Sequence, residues 1–372
     1  MSAASSPTQN ELQSRFPRVY DVLSAAIAAR SFPGCAFGVF ANNAVQLQDA
    51  LGRFTYEDAS PAITINTAYD IASVTKVVAT TAACMLLHQR GKLDLDSPLG
   101  DFLPAFVIGR DTAEGARHIR IRHLLAHSSG LPGYIELFRK AATPEELLRA
   151  CLQLPIEGEP GTRAEYSDIG FILLGKAIEV ITGEDLAAWV AREVFGPLGL
   201  ASTAFAPAAS MRDSIPPTED DATFRHRRIQ GEVQDENAFI LNGVAGHAGV
   251  FSTVPDLLRF AEAILAPFSQ PDSDGRSAFF QTRTVECFAT RQGPKGSSRA
   301  LGWDTPSENS SAGRHFSAHS VGHLGYSGCS LWIDLDARLA VALLTNRTWP
   351  DRQNQAIREL RPRFHDAVRE TL

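Results

Sequence analysis

The sequence predicts a mixed α/β fold of the α+β kind, with an antiparallel sheet assembled from both chain ends, flanking helices, and a mostly helical lobe from the middle. Three observations predict it. β-rich runs cluster near the two termini, amphipathic helical patterns dominate between them, and no internal repeat breaks that order. With 372 residues, 44% hydrophobic and 21% charged, the chain has material for one two-lobed fold or about two domains.

Taken in order, residues 11–29 place Leu12, Phe16, Val19, Val22, Leu23 and Ile27 at helical spacing, which predicts one amphipathic helix. Residues 35–40 and 45–51 are β-rich, and Asn42-Asn43 between them tolerates positive φ, so the pair reads as a hairpin. Helical patterns follow over 73–88, 120–126, 144–154, 169–181 and 256–264. Residues 206–236 and 270–299 are rich in Pro, Ser, Asp and Arg without a period, and read as long loops. A second β pair, 330–333 and 339–344, flanks Asp334-Leu335-Asp336-Ala337, and a helix over about 352–371 closes the chain. The implied division is a discontinuous α/β domain of residues 1–77 and 266–372 around a mostly helical domain of 78–265, with the active site in the cleft between them.

Composition excludes several function classes. Thirty-five basic against 42 acidic residues give a formal charge of −7, with no basic field to hold a phosphate backbone, so nucleic acid is not an expected partner. The longest nearly apolar stretch, 77–87, is too short to span a bilayer and contains Thr80 and Thr81. No basic segment followed by an apolar run opens the sequence. The five cysteines (Cys35, Cys84, Cys151, Cys287, Cys329) are an odd number without a C-x-x-C pair, which fits reduced core thiols. The expectation is a cytoplasmic protein without metal, and without a phosphate loop or dinucleotide fingerprint to hold a cofactor.

Three stretches can carry chemistry. In Ile71-Ala72-Ser73-Val74-Thr75-Lys76 a serine and a lysine stand three apart at the start of an apolar helix. That spacing puts both on one face, where the Lys76 amine can reach the Ser73 hydroxyl and the helix N-terminus polarises the Ser73 N–H. A serine hydroxyl is a weak nucleophile near neutral pH, and an adjacent amine of lowered pKa can take its proton. Ser73 as a plain N-cap is the bland alternative. In Ala164-Glu165-Tyr166-Ser167-Asp168-Ile169-Gly170, the Tyr166 phenol can shuttle protons and Asp168 can tune the lysine, or Asp168 caps a helix and Tyr166 packs. In Ser320-Val321-Gly322-His323-Leu324-Gly325-Tyr326-Ser327-Gly328, glycines allow close backbone approach. There the N–H after Gly325 can pair with that of Ser73 as an oxyanion hole, with His323 pointing into the same cleft.

The ordered set resembles the serine β-lactamase and penicillin-binding protein superfamily, most closely its class C branch, which also holds D-aminopeptidases, D-alanyl-D-alanine carboxypeptidases and family VIII carboxylesterases. Gly91-Lys92-Leu93-Asp94-Leu95-Asp96-Ser97-Pro98, then Ile121-Arg122-His123-Leu124-Leu125-Ala126-His127-Ser128-Ser129-Gly130-Leu131-Pro132, then Gly243-Val244-Ala245-Gly246-His247-Ala248-Gly249-Val250-Phe251-Ser252 look like further landmarks of that family in the same order. The resemblance covers about residues 15–368. It implies a class C β-lactamase-like fold, Ser73 as the acylated nucleophile, Lys76 as its proton partner, Tyr166 as general base or acid, and the Ser73 and Tyr326 N–H groups as oxyanion hole.

Two departures bear on substrate. Asp168 stands where the branch often has Asn, so a carboxylate beside Lys76 favours the charged lysine and shifts the base role toward Tyr166. His323-Leu324-Gly325 replaces Lys-Thr-Gly, removing the fixed cation that a substrate carboxylate needs, and a neutral histidine holds an anion poorly. The expectation is therefore a cofactor-free serine hydrolase of small carboxylic esters, with Asp168, His323, Gly325 and His247 as substrate-binding residues and a small ester, amide or β-lactam as partner. A β-lactamase or D-amino-acid peptidase is the alternative enzyme, and a catalytically silent binding scaffold is the alternative of another class. His247 between Gly246 and Gly249 lines the cleft or only bonds a turn. His123 and His127, an i, i+4 pair, lack the Glu of a zinc motif. The run Arg225-His226-Arg227-Arg228 reads as solvated surface, and Trp303 as core or cleft wall.

Overall fold

The computed structural model describes residues 8–110, 113–269 and 278–372. Its main sheet has five strands, with spatial order Ala44–Gly52, Gly34–Ala41, Leu339–Thr345, Ser330–Asp334 and Ser320–Leu324. Every neighbouring pair is antiparallel, and the strand from the N-terminal part lies directly on that from the C-terminal part, Cys35 opposite Thr345. The hairpin turn follows from its asparagines, which sit at φ of 54° and 58°, the left-handed pair that matches strand twist.

The two central strands are buried along their whole length because both faces of the sheet are covered, which explains their continuous apolar runs. One face presents Phe37, Val39, Trp332, Val341 and Leu343 to the terminal helices, through Phe16, Val19 and Leu23 at one end and Leu360 and Phe364 at the other. The opposite face presents Ala36, Phe40, Ala340 and Ala342 to a second core shared with helix Val254–Ser269 and the helices of the middle. Each fully buried Leu, Val or Phe contributes roughly 1.5–3 kcal/mol. Gly38 lets helix and sheet meet closely, since a Cβ there would lie 2.6 Å from Val254 Cγ1 and 2.8 Å from Leu258 Cδ1.

Several expected elements differ in detail. The first helix is two, Gln9–Arg15 and Pro17–Ala28, because Pro17 lacks an N–H and forces Phe16 out of helical geometry. The last begins only at Ile357 and ends at Arg369. The segment expected as a helix over 73–88 is a short 3-10 turn at Ala72–Val74, a π-helical stretch at Lys76–Thr81 and a regular helix at Ala82–Gln89. Helices Pro144–Gln153 and Asp168–Thr182 match their patterns. The 206–236 stretch contains a strand pair, Glu219–Asp221 with Arg227–Ile229, and the 270–299 stretch contains helix Thr282–Ala289, while its residues 270–277 lie outside the described residues. Arg225 is not solvated: its side chain is buried against Asp221, whereas Arg227 pairs with Glu232 and Arg228 stacks on Trp349. Trp303 is core, stacked on Phe260. All five cysteines are free thiols, four of them buried.

Candidate active site

A small second sheet positions Ser73. Strand Tyr69–Asp70 pairs with Val250–Ser252, and Asp70 then accepts the Ala72 N–H at 2.8 Å and the Gln234 N–H at 2.7 Å. Pulled in this way, Ala72 adopts φ of 47°, a left-handed conformation costly for alanine and placed immediately before Ser73. The turn at 72–74 presents the half-buried Ser73, and the following π-helical segment carries the fully buried Lys76 beneath it.

Lys76 Nζ donates to Asp168 Oδ1 at 2.6 Å, to Ser73 Oγ at 3.0 Å and to the His247 carbonyl at 3.2 Å. An ammonium has three hydrogens, and three acceptors meet them. Burial opposes the charge, yet the Asp168 carboxylate and Tyr166 outweigh it and hold Lys76 above its ordinary pKa. The expected effect of Asp168 on the lysine is therefore present. Asp168 opens its helix behind the Ser167 cap, whose Oγ accepts the Gly170 N–H at 3.0 Å.

Tyr166 packs over this pair, its ring centroid 4.8 Å from Lys76 Nζ. Burial raises its phenol above the ordinary value, with Lys76 pulling the other way, so the resting side chain is a neutral phenol. Two histidines flank it. His323, on strand Ser320–Leu324, hydrogen-bonds through Nδ1 to the Leu324 carbonyl at 2.8 Å, which leaves an unpartnered Nε2 lone pair. His127 accepts the Ser167 N–H at Nδ1 (3.0 Å) and lies 4.6 Å from the Tyr166 ring. Burial first, then nearby cations, drive both histidines well below their ordinary pKa. His127 does not share a face with His123. The helix ends at Leu125, His127 turns at φ of 53°, and His123 accepts the Arg120 N–H. Among the described residues no three His, Cys, Asp or Glu are grouped to hold a metal ion.

The turn after His323 lies against the turn that carries Ser73. A Cβ on Gly325 would come within 2.5 Å of the Ile71 carbonyl, and Ser327 Oγ donates to the Asp70 carbonyl at 2.7 Å. Among the described residues neither the Ser73 nor the Tyr326 N–H donates to another group. Ser73, Tyr166 and Tyr326 each line two cavities. One, about 600 Å³, is walled by Arg299, His323 and Arg358, and the other, about 380 Å³, by Tyr134, Glu136, Asp235 and Glu236. A further cavity of about 540 Å³ along Ile172, Leu186 and Leu241 contains neither Ser73 nor Tyr166.

Two findings revise the sequence reading. A cation does stand in the cleft: the Arg299 guanidinium lies 5.2 Å from the Tyr166 ring centroid. A lone Arg at the end of an aperiodic segment gave no signal of this. The side chain of His247 is buried, with Nε2 2.9 Å from Asp235 Oδ1, and it is the His247 carbonyl that faces Lys76.

With that geometry in place, the likeness to known proteins can be read. The family profile described as Beta-lactamase matches residues 19–362. The chain belongs to the beta-lactamase family. Within reach of this beta-lactamase-family chain, an N-acetylmuramyl-L-alanine amidase of Bacillus subtilis is 30% identical over 367 residues, covering 89% of this chain and 80% of the relative. A Salmonella typhimurium protein with the provisional name D-alanyl-D-alanine carboxypeptidase is 30% identical over 348 residues, covering 85% and 79%. Among solved structures, EstCE1, described as a hydrolase with promiscuous acyltransferase activity, superposes with a TM-score of 0.77 at 24% identity over 96% of this chain and 99% of that one. The beta-lactamase fold expected from the sequence is thus the fold observed. No helix among the described residues is long and apolar enough to cross a membrane.

Proposed function

We propose that the protein is a serine hydrolase that cleaves small carboxylic esters or amides through an acyl-enzyme on Ser73. The observation that carries this reading is the Lys76 ammonium bonded at once to Ser73 Oγ and to Asp168. As Ser73 Oγ attacks the acyl carbon, its proton passes to Lys76 while Lys76 hands another to Asp168, so the lysine stays charged and the carboxylate is the final acceptor. The Ser73 and Tyr326 N–H groups receive the oxyanion, a term worth about 3–4 kcal/mol per donor. The neutral Tyr166 phenol protonates the leaving group, its phenolate then draws a proton from the water that releases the acid, and Asp168 returns its proton through Lys76 to the departing Ser73 Oγ. This gives Tyr166 the acid role first, since a buried phenol is a poor resting base.

A short-chain ester is the substrate this reading places first, in the discontinuous two-domain arrangement and cytoplasmic setting expected above. Arg299 favours a second reading, an amide or β-lactam whose leaving side carries a carboxylate, and the names of the two 30% identical relatives support amide cleavage. The test is intact-protein mass after brief exposure to a p-nitrophenyl ester, a cephalosporin or a D-Ala-D-Ala peptide, with Ser73→Ala alongside. An acyl adduct or turnover lost in Ser73→Ala supports the acyl-enzyme, and the substrate that gives it selects between the readings. Absence of both with every substrate and with a fluorophosphonate probe points to a silent scaffold.

A further inference from the structure

The third acceptor of Lys76 is a backbone carbonyl, and something must hold that carbonyl in place. His247 lies in the loop between helix Glu236–Ile240 and strand Val250–Ser252. On its inner side the loop is fastened to the nucleophile segment three times. Thr80 Oγ1 donates to the Gly246 carbonyl at 2.7 Å, Lys76 to the His247 carbonyl at 3.2 Å, and the Val250 N–H to Thr75 Oγ1 at 3.1 Å. The loop is also pressed onto the helix that carries Asp168, where a Cβ on Gly246 would lie 2.1 Å from the Phe171 carbonyl.

The outer side of the loop is held by a side chain. His247 is 1% exposed, its Nδ1 has no partner, and Nε2 reaches Asp235 Oδ1 at 2.9 Å. Asp235 is itself fixed, because the same oxygen accepts the Ala238 N–H at 2.7 Å as the cap of the short helix. Its carboxylate also walls the smaller cavity at Ser73. A rigid chain therefore runs from a helix cap through Asp235 and the His247 ring to the His247 carbonyl and Lys76.

We infer that Asp235 and His247 are positioning residues: their side-chain pair seats the His247 carbonyl against Lys76 and keeps the ammonium on the line between Ser73 and Asp168. The inference rests on the acyl-enzyme reading above. Neither side chain touches the reacting atoms. With the pair broken, the carbonyl can withdraw, and a buried N–H left without its acceptor is costly. Lys76 then swings to recover a partner, and displacement of order 1 Å at a proton-transfer group can cost up to about a hundredfold in rate.

The experiment measures kcat and KM for a p-nitrophenyl ester in Asp235→Ala, His247→Phe, the double variant and His247→Gln, beside wild type. Each single variant should lower kcat roughly ten- to a hundredfold with KM changed less than about twofold, and the double variant should lose no more than either single, as expected of residues acting as one unit. His247→Gln, whose amide can still donate to Asp235, should recover most of the rate. Folded single variants with wild-type kcat, losses that add, or a loss confined to KM would overturn the inference. Should Asp235→Ala fail to fold, His247→Phe against His247→Gln carries the same kcat criterion alone. A wild type that never acylates Ser73 overturns the acyl-enzyme reading and this inference together, whereas a wild type that acylates beside unchanged variants overturns this inference alone.

Discussion

Buried Lys76 and partly exposed Asp168 form an ion pair 2.6 Å apart, and the lysine, not the carboxylate, is the member in contact with Ser73. If Asp168 is the final proton acceptor, Asp168→Asn should lower kcat/KM for an ester about a hundredfold near pH 7. The variant should also change its pH profile. Without the carboxylate, burial lowers the Lys76 pKa with only Tyr166 left to oppose it, and catalysis then needs the neutral amine, so the rate should climb about tenfold per pH unit below that pKa. A wild-type rate and profile in the variant would remove Asp168 from the proton route.

Arg299 should separate substrates by charge. Truncation in Arg299→Ala should lower kcat/KM about ten- to a hundredfold for a peptide ending in a free carboxylate, the range of a charge-assisted hydrogen bond. Turnover of an uncharged p-nitrophenyl ester should change less than about twofold. Equal losses on both substrates would assign Arg299 to the support of Tyr166 instead.

Acid should destabilise the fold through buried neutral histidines. His365 is buried and donates from Nδ1 to the Ser311 carbonyl at 2.7 Å. Burial holds its pKa down to about 4. Between about pH 6.5 and 4 the unfolded chain binds a proton that the folded one does not, so stability falls as pH falls, by about 3 kcal/mol across the window. His127 and His323 act with the same sign. Asp70, which burial raises to about 6, acts against them, because its folded form takes the proton first. The difference in urea midpoint between wild type and His365→Gln, followed from pH 7 to pH 4.5, isolates the histidine, and it should shrink as the pH drops.

Gly38→Ala should cost about 1–3 kcal/mol by overpacking, read as a lowered thermal midpoint. The added methyl meets Val254 and Leu258 inside van der Waals distance, on the sheet face away from the terminal helices. Val254→Ala in the same chain should recover part of the loss, and an unchanged midpoint in Gly38→Ala would show that helix Val254–Ser269 yields freely.

Legibility in the sequence tracked locality. The hairpin at Asn42-Asn43, the helix behind Ser167 and the closeness of Ser73 and Lys76 depend on neighbours a few residues away, so spacing and turn chemistry were enough to read them. The break at Phe16-Pro17 is hidden in the sequence because apolar periodicity runs through it while proline's missing N–H does not show in a period. Arg299 and Asp235 were invisible for another reason. Each is an ordinary charged residue in an aperiodic stretch, and only tertiary contact, with Tyr166 in one case and His247 in the other, gives it a role. His123 and His127 are spaced as a helical pair in the sequence, and the left-handed backbone at His127 that separates them does not show in that spacing.

The pairing of Gly34–Ala41 with Leu339–Thr345 joins segments separated by nearly the entire chain. During synthesis the first hairpin leaves the ribosome with an open edge and keeps it until the last strands emerge, a long wait set by topology. Ser73 and Lys76 are made early, but the turn that brings Tyr326 beside them comes after residue 320. A nascent chain that stops short of this turn therefore holds Ser73 and Lys76 without the Tyr326 wall of the two cavities at Ser73.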